Sequence, residues 1–134
     1  PGNVDVTDLD VPFYWAGGGI VSTAPDVARF LRALLSGELL PARFGTEMLS
    51  TVVSDWDESD RYGLGIAEIT SLMDQAESPC GPAWGHLGFS AGYTAIALAS
   101  EGGNRQVVIL TNSLSQTEET WQALGRLAWA SYCS

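Results

Sequence analysis

The single histidine of the chain, His86, lies in the stretch Gly85-His86-Leu87-Gly88-Phe89-Ser90-Ala91-Gly92-Tyr93. The same residues spell Gly-x-Ser-x-Gly from Gly88 to Gly92. That pattern is the written form of a serine nucleophile on a sharp strand-to-helix turn, with its histidine base later in the chain. Neither condition is met. The segment after Ser90, Tyr93-Thr94-Ala95-Ile96-Ala97-Leu98-Ala99, alternates with period two like a strand, and His86 precedes the serine. Ser90-Ala91-Gly92 then reads as a hairpin turn, and the chemistry left to the stretch is that of an edge strand used as a rail. A substrate backbone can lie antiparallel to such an edge and exchange main-chain hydrogen bonds with it. Gly88 has no Cβ and permits close approach, the N–H of Phe89 can face a developing oxyanion, and His86 supplies a group that titrates near neutral pH. Standing alone, His-x-Gly on a strand equally fits a histidine with only a structural hydrogen-bonding role.

Other stretches imitate functional motifs and fail on chemistry. Gly17-Gly18-Gly19 with Ser22 behind it lacks the lysine of a phosphate-cradling loop, and a tight backbone bend is the expectation. Asp55-Trp56-Asp57-Glu58-Ser59-Asp60 puts Asp60 where a calcium loop needs glycine, and reads as a solvated acidic loop. Cys80 and Cys133 have too few partners for a zinc site, so neither a metal nor any other cofactor is expected. The two cysteines either pair or remain buried thiols. A bridge would close a ring worth about 4 kcal/mol in the chain-entropy account, and it would place the protein outside the cytoplasm.

The elements that must position the rail follow from periodicity. Thr23-Ala24-Pro25-Asp26 opens a helix, with Thr23 as cap and Asp26 at the positive end of the dipole. Val27, Phe30, Leu31, Leu34 and Leu35 form its apolar stripe, and Gly37 ends it. A second helix begins after Pro41 and carries Phe44, Met48, Leu49 and Val52. Residues 62–69 read as a strand loosened by Gly63 and Gly65. Residues 83–89, 93–100 and 105–112 follow as three strands in hairpin order, with Glu101-Gly102-Gly103-Asn104 as a turn. Ala95, Ala97 and Ala99 share one strand face, small enough for close approach of a helix. Ser115-x-x-Glu118 is a capping box for a terminal helix with Trp121, Leu124, Leu127 and Ala128 inward, and Gly125 suits contact with the alanine face. The fold class expected is α+β, with an antiparallel sheet of about four strands packed against helices.

Composition limits partners. The 134 residues carry a net charge of −10, and all six basic residues are arginines. So acidic a surface excludes nucleic acid and anionic membrane as partners, and no apolar run approaches the roughly 20 residues of a membrane span.

Taken together, "AGGGIVSTAPDVARFLRALLSGELL", "YGLGI", "GHLGFSAGY" and "VVILTNS" resemble the C-terminal part of the penicillin-recognising serine hydrolases, over roughly residues 13–131. The group most similar is that of class C β-lactamases and secreted bacterial D-alanyl-D-alanine carboxypeptidases. The resemblance implies a C-terminal portion of a β-lactamase/transpeptidase-like fold, in a single fragment over residues 1–134. It also implies an acyl-enzyme mechanism built from Ser-x-x-Lys, Tyr-x-Asn and a Lys- or His-x-Gly strand. His86-Leu87-Gly88 matches the third motif. The first two are absent, since the chain has no lysine and no tyrosine followed two places later by asparagine. By the same resemblance His86 and Phe89 are the catalytic contributors, Phe89 through its backbone N–H. Leu87, Gly88 and Phe89 would line the substrate, and Cys80 and Cys133 match a bridge found in some secreted carboxypeptidases.

Two departures widen the substrate question. Leu87 stands where threonine often helps hold a carboxylate, and no arginine follows the Tyr62-Gly63-Leu64 strand. The expected substrate is a small molecule or peptide of peptidoglycan or β-lactam type, with an esterase or amidase of the same fold as alternatives. The isolated chain is expected to be inactive. The competing expectations are a non-catalytic binding module or truncated homologue, and a homodimer that covers the exposed sheet edge.

Overall fold

The computed structural model describes residues 4–6, 14–54, 61–72, 77–113 and 117–134. Its helices are α1 (Trp15–Gly18), α2 (Ala24–Leu35), α3 (Ala42–Met48) and α4 (Glu118–Tyr132). Its strands are β1 (Val52–Val53), β2 (Arg61–Tyr62), β3 (Ala67–Ile69), β4 (Ala83–Ser90), β5 (Tyr93–Ala99) and β6 (Gln106–Thr111). The strands form one antiparallel sheet in sequential order, so the α+β expectation holds.

The sheet has six strands and not about four because residues 61–69 do not run straight and because Val52–Val53 adds one more strand at the edge. Gly65 adopts φ +78°, open to a residue without a Cβ, and the chain folds back so that Tyr62 pairs with Ala67. Gly63 sits so close to α3 that a Cβ would lie 2.1 Å from the Met48 carbonyl oxygen, while Leu64 N–H donates to that oxygen at 2.9 Å. The glycines therefore make a hairpin. Val52, expected on the second helix, belongs to β1 and is exposed.

α2 begins as its sequence requires. Thr23 Oγ1 accepts from Asp26 N–H, and Pro25 sits in the first turn. It ends with Gly37 N–H on Leu34 O and Glu38 N–H on Ala33 O, the paired closure of a Schellman motif. Leu31 is buried, but Phe30 of the same stripe is exposed. The turn after β5 forms a short 3-10 segment, Glu101–Gly103, and Gly103 rests against the backbone of Arg32 on α2.

Opposite partners in an antiparallel ladder share a face. Trp84, His86, Gly88 and Ser90 therefore stand with Ala99, Ala97, Ala95 and Tyr93 on one face of the sheet. That face meets α2 and α3, where Met48, Ile66 and Trp84 cluster with Leu34 and Leu35. The other face carries the larger core. Ile96, Leu98, Ala67, Ile69, Leu72 and Ala83 pack there against Ala128, Trp129 and Tyr132 of α4. Gly125 of α4 is buried, but the face its helix meets is that of Ile96 and Leu98, so the alanine face is turned away from α4. The larger aliphatic side chains of β5 claim α4 because they offer more apolar area to bury. Leu127, expected inward, is exposed. The cap of α4 is Thr117, whose Oγ1 accepts from Thr120 N–H. Ser115 and the acidic stretch 55–60 lie outside the described residues.

Cys80 and Cys133 are bonded to each other. The bridge ties the end of α4 to the loop before β4. Beside it Tyr132 Oη donates to Pro82 O at 2.9 Å and Arg105 donates to Tyr132 O at 3.1 Å. The start of β4 is thus clamped to α4 by one covalent and one polar link, and Arg105 ties the same helix end to the turn before β6.

Candidate active site

β4 is an inner strand for half its length and an edge for the rest. Its partner β3 covers only Ala83 to Gly85, through the pairs Ile69–Ala83, Glu68–Trp84 and Ala67–Gly85. Beyond Gly85 no described strand pairs with it on that side, whereas β5 follows it on the other as far as Ser90. The hairpin sets the parity of this edge. With only Ala91 and Gly92 in the loop, Ser90 and Tyr93 close it as a hydrogen-bonded pair. Main-chain groups alternate in direction along a strand. Those of Ser90, Gly88 and His86 therefore turn to β5, and those of Phe89 and Leu87 turn to the open edge.

Side chains hold that edge in place. Phe89 packs edge-on against Trp121 of α4, with ring centroids 5.2 Å apart and planes at 82°. Leu87 is half-buried against the α4-side core. The backbone between them is fixed from below, with its amides outward. Gly88 lies on the opposite face, where a Cβ would come within 3.3 Å of Ala95 Cβ. Crowding by β5 is thus a second reason for glycine there, besides access for a substrate.

His86 is exposed beside the point where β3 ends. Tyr62 Oη lies 2.8 Å from its Nε2, and the two rings stand edge to face at 5.6 Å. Its Nδ1 contacts the Leu87 carbonyl oxygen. Since a carbonyl can only accept, Nδ1 carries the proton, and in the neutral ring Nε2 accepts from the Tyr62 hydroxyl. The imidazole is thereby held in one tautomer with its basic nitrogen toward a tyrosine. Sequence reasoning missed Tyr62. Its signal was the Gly63/Gly65 pair, which folds β2 back beside β3 and brings the phenol to His86 in the middle of β4.

Ser90 stands at the hairpin tip, followed by a turn and a strand rather than a helix. Four residues along an extended strand span about 13 Å, out of reach of His86. A second tyrosine meets it there instead. Tyr14 Oη accepts from Ala91 N–H at 3.2 Å, and Val6 covers Gly92. The Ala91 amide, and after it the Ser90 hydroxyl, hold the Tyr14 phenol below its ordinary pKa of 10.0 against a small opposing effect of burial. Nothing in the aromatic run around Tyr14 marks it for this position.

The structure thus brings His86, Leu87, Gly88 and Phe89 together on one open edge, adds Tyr62 and Tyr14 at its two ends, and places Cys80 and Cys133 away from it as a clamp. The family model described as Beta-lactamase matches residues 1–128. Among solved structures, a D-stereospecific amidohydrolase from Streptomyces sp. is similar at 28% identity with a TM-score of 0.59. The match covers 75% of this chain and 28% of that protein, so the chain spans less than a third of that relative's length.

Proposed function

From the premise that the chain belongs to the β-lactamase family, we propose that it is the sheet-edge portion of a serine hydrolase that cleaves a small amide or ester through an acyl-enzyme. One observation carries the reading. The second half of β4 is an open edge whose parity aims Phe89 N–H outward, next to His86 and over a glycine. A substrate carbonyl set against that N–H gains a hydrogen bond that strengthens as negative charge grows on its oxygen. An amide N–H of the same substrate residue meets the Phe89 carbonyl, as in any antiparallel pair.

The chemistry divides between this chain and the rest of the protein. A serine contributed from elsewhere attacks the carbonyl while a lysine beside it takes the hydroxyl proton. The tetrahedral oxyanion rests on Phe89 N–H and a second donor, and the C–N or C–O bond then breaks as that proton passes to the leaving amine or alcohol. His86, with its Nε2 already relayed to Tyr62, handles a proton at the reacting centre. Water then hydrolyses the acyl-enzyme. The chain alone, without lysine, does not acylate. Substrates of D-alanyl-D-alanine or β-lactam type fit this edge, as do amides of D configuration, in keeping with the similarity to a D-stereospecific amidohydrolase. Leu87 offers no hydroxyl for a carboxylate, which favours a neutral amide or ester. The Cys80–Cys133 bridge supports an extracytoplasmic setting. No helix among the described residues is long and apolar enough to cross a membrane.

The test is complementation. Joined to the polypeptide encoded upstream, the chain should hydrolyse a chromogenic β-lactam or a D-amino-acid amide. His86→Ala should then lower kcat by about 10²–10⁴-fold, the ordinary worth of a positioned acid–base group. A joined protein whose activity is indifferent to His86→Ala would refute the role given to the edge. The second reading, a homodimer through the same open edge, is favoured by the length of β4 left unpaired.

A further inference from the structure

The edge is bracketed at both ends by side chains. An antiparallel partner along β4 would find its ladder bonds at Leu87 and Phe89, and beyond the strand the next main-chain donor at this edge is the turn amide of Ala91, which reaches Tyr14. At one end the Leu87 carbonyl accepts from His86 Nδ1. At the other the Ala91 amide donates to Tyr14 Oη at 3.2 Å, with Val6 against the Gly92 turn and a hydrogen bond to Ser90 holding the phenol there. Between the brackets stands Phe89, with one donor and one acceptor.

We propose that Tyr14 is a specificity-determining residue that ends the rail at Ala91, so that the site pairs a substrate through one residue only and a longer peptide gains no further hold. The proposal rests on the rail reading above. It assigns to Tyr14 the place that the next carbonyl of a longer peptide would take, and to Val6 the turn face that such a peptide would cross. Tyr14 touches no reacting atom and acts through Ala91.

The experiment uses the chain itself, labelled with ¹⁵N, and two probes: N-acetyl-D-alaninamide and N-acetyl-(D-Ala)₃-amide. Amide exchange at Ala91 and shifts at Phe89 are read in the wild type, Tyr14→Phe and Tyr14→Ala. In the wild type both probes should move Phe89 with similar Kd. In Tyr14→Phe, which keeps the ring and loses the acceptor, Ala91 should exchange about fivefold faster, as a lost hydrogen bond of ordinary strength implies. In Tyr14→Ala the longer probe should bind about fivefold tighter than the shorter, the gain from one added hydrogen bond. A longer probe already tighter by that factor in the wild type, and unaffected by Tyr14→Ala, overturns the length limit while the rail stands. Unchanged Ala91 exchange in Tyr14→Phe overturns the cap itself. If neither probe moves Phe89 in any of the three proteins, the rail reading is overturned and the length limit with it.

Discussion

Removing the Cys80–Cys133 bridge should cost the fold about 4 kcal/mol. The cysteines are 53 residues apart in sequence. In the chain-entropy account, closing a loop of that length restricts the unfolded ensemble by roughly 14 cal/mol/K, hence about 4 kcal/mol at 25 °C. The native side of the balance should change little in the Cys80→Ser, Cys133→Ser double variant. Tyr132 keeps its bond to Pro82 O, its ring stays within the core, and Arg105 still holds the helix end. Urea unfolding followed by tryptophan fluorescence measures the difference. With a slope near ~2 kcal/mol/M for a domain of this size, the midpoint should fall by about 2 M. Adding reductant should move the wild-type midpoint by the same amount and leave the double variant unmoved. A thiol assay on the native protein should detect no free cysteine. Coincident midpoints for the wild type and the double variant would refute the reasoning, and so would two reactive thiols in the folded protein.

Other outcomes follow from the same geometry. Tyr62→Phe should shift the ¹⁵N resonance of His86 Nε2, which loses its hydrogen-bond donor, while Nδ1 stays protonated against the Leu87 carbonyl; an unchanged Nε2 resonance would remove Tyr62 from the site. In a spectrophotometric tyrosine titration, the first phenol to ionise should vanish in Tyr14→Phe and the last in Tyr132→Phe. Tyr132 is raised chiefly by burial, with Arg105 opposing. The stability it contributes is fully present below the ordinary tyrosine pKa of 10.0 and is lost as pH rises through its higher folded value, so alkaline unfolding should be delayed in Tyr132→Phe. Tyr14 works in the opposite sense, adding stability only as pH climbs through its lowered value. Leu98→Ala, at a fully buried site under α4, should cost about 2–5 kcal/mol in a chemical melt.

The parts of this fold that repeat a local physical rule were legible in the residues. Thr23 and Asp26 announced α2, the glycines after Glu101 announced the last hairpin, and the alternation after Gly92 ruled out a helix behind Ser90. What could not be read were decisions made between elements. Whether Gly63 and Gly65 loosen a strand or fold it back depends on α3 presenting the Met48 carbonyl to Gly63. Which face of β5 receives α4 depends on the competition between alanines and the larger Ile96 and Leu98. Phe30 and Leu127 lie in the apolar stripes of their helices and are nonetheless exposed. The edge itself was legible as His86-Leu87-Gly88-Phe89, but its tyrosines arrive from β2 and from the segment before α1, at 24 and 77 residues' separation. No local spacing encodes such meetings.

The central claim is that this chain offers a rail to a serine it does not carry. Incubating the isolated chain with a fluorescent penicillin and with a fluorophosphonate, followed by mass spectrometry of the intact protein, tests it directly. The account predicts unmodified mass with both reagents. Stoichiometric labelling of Ser90, or of any other serine in the chain, would contradict it.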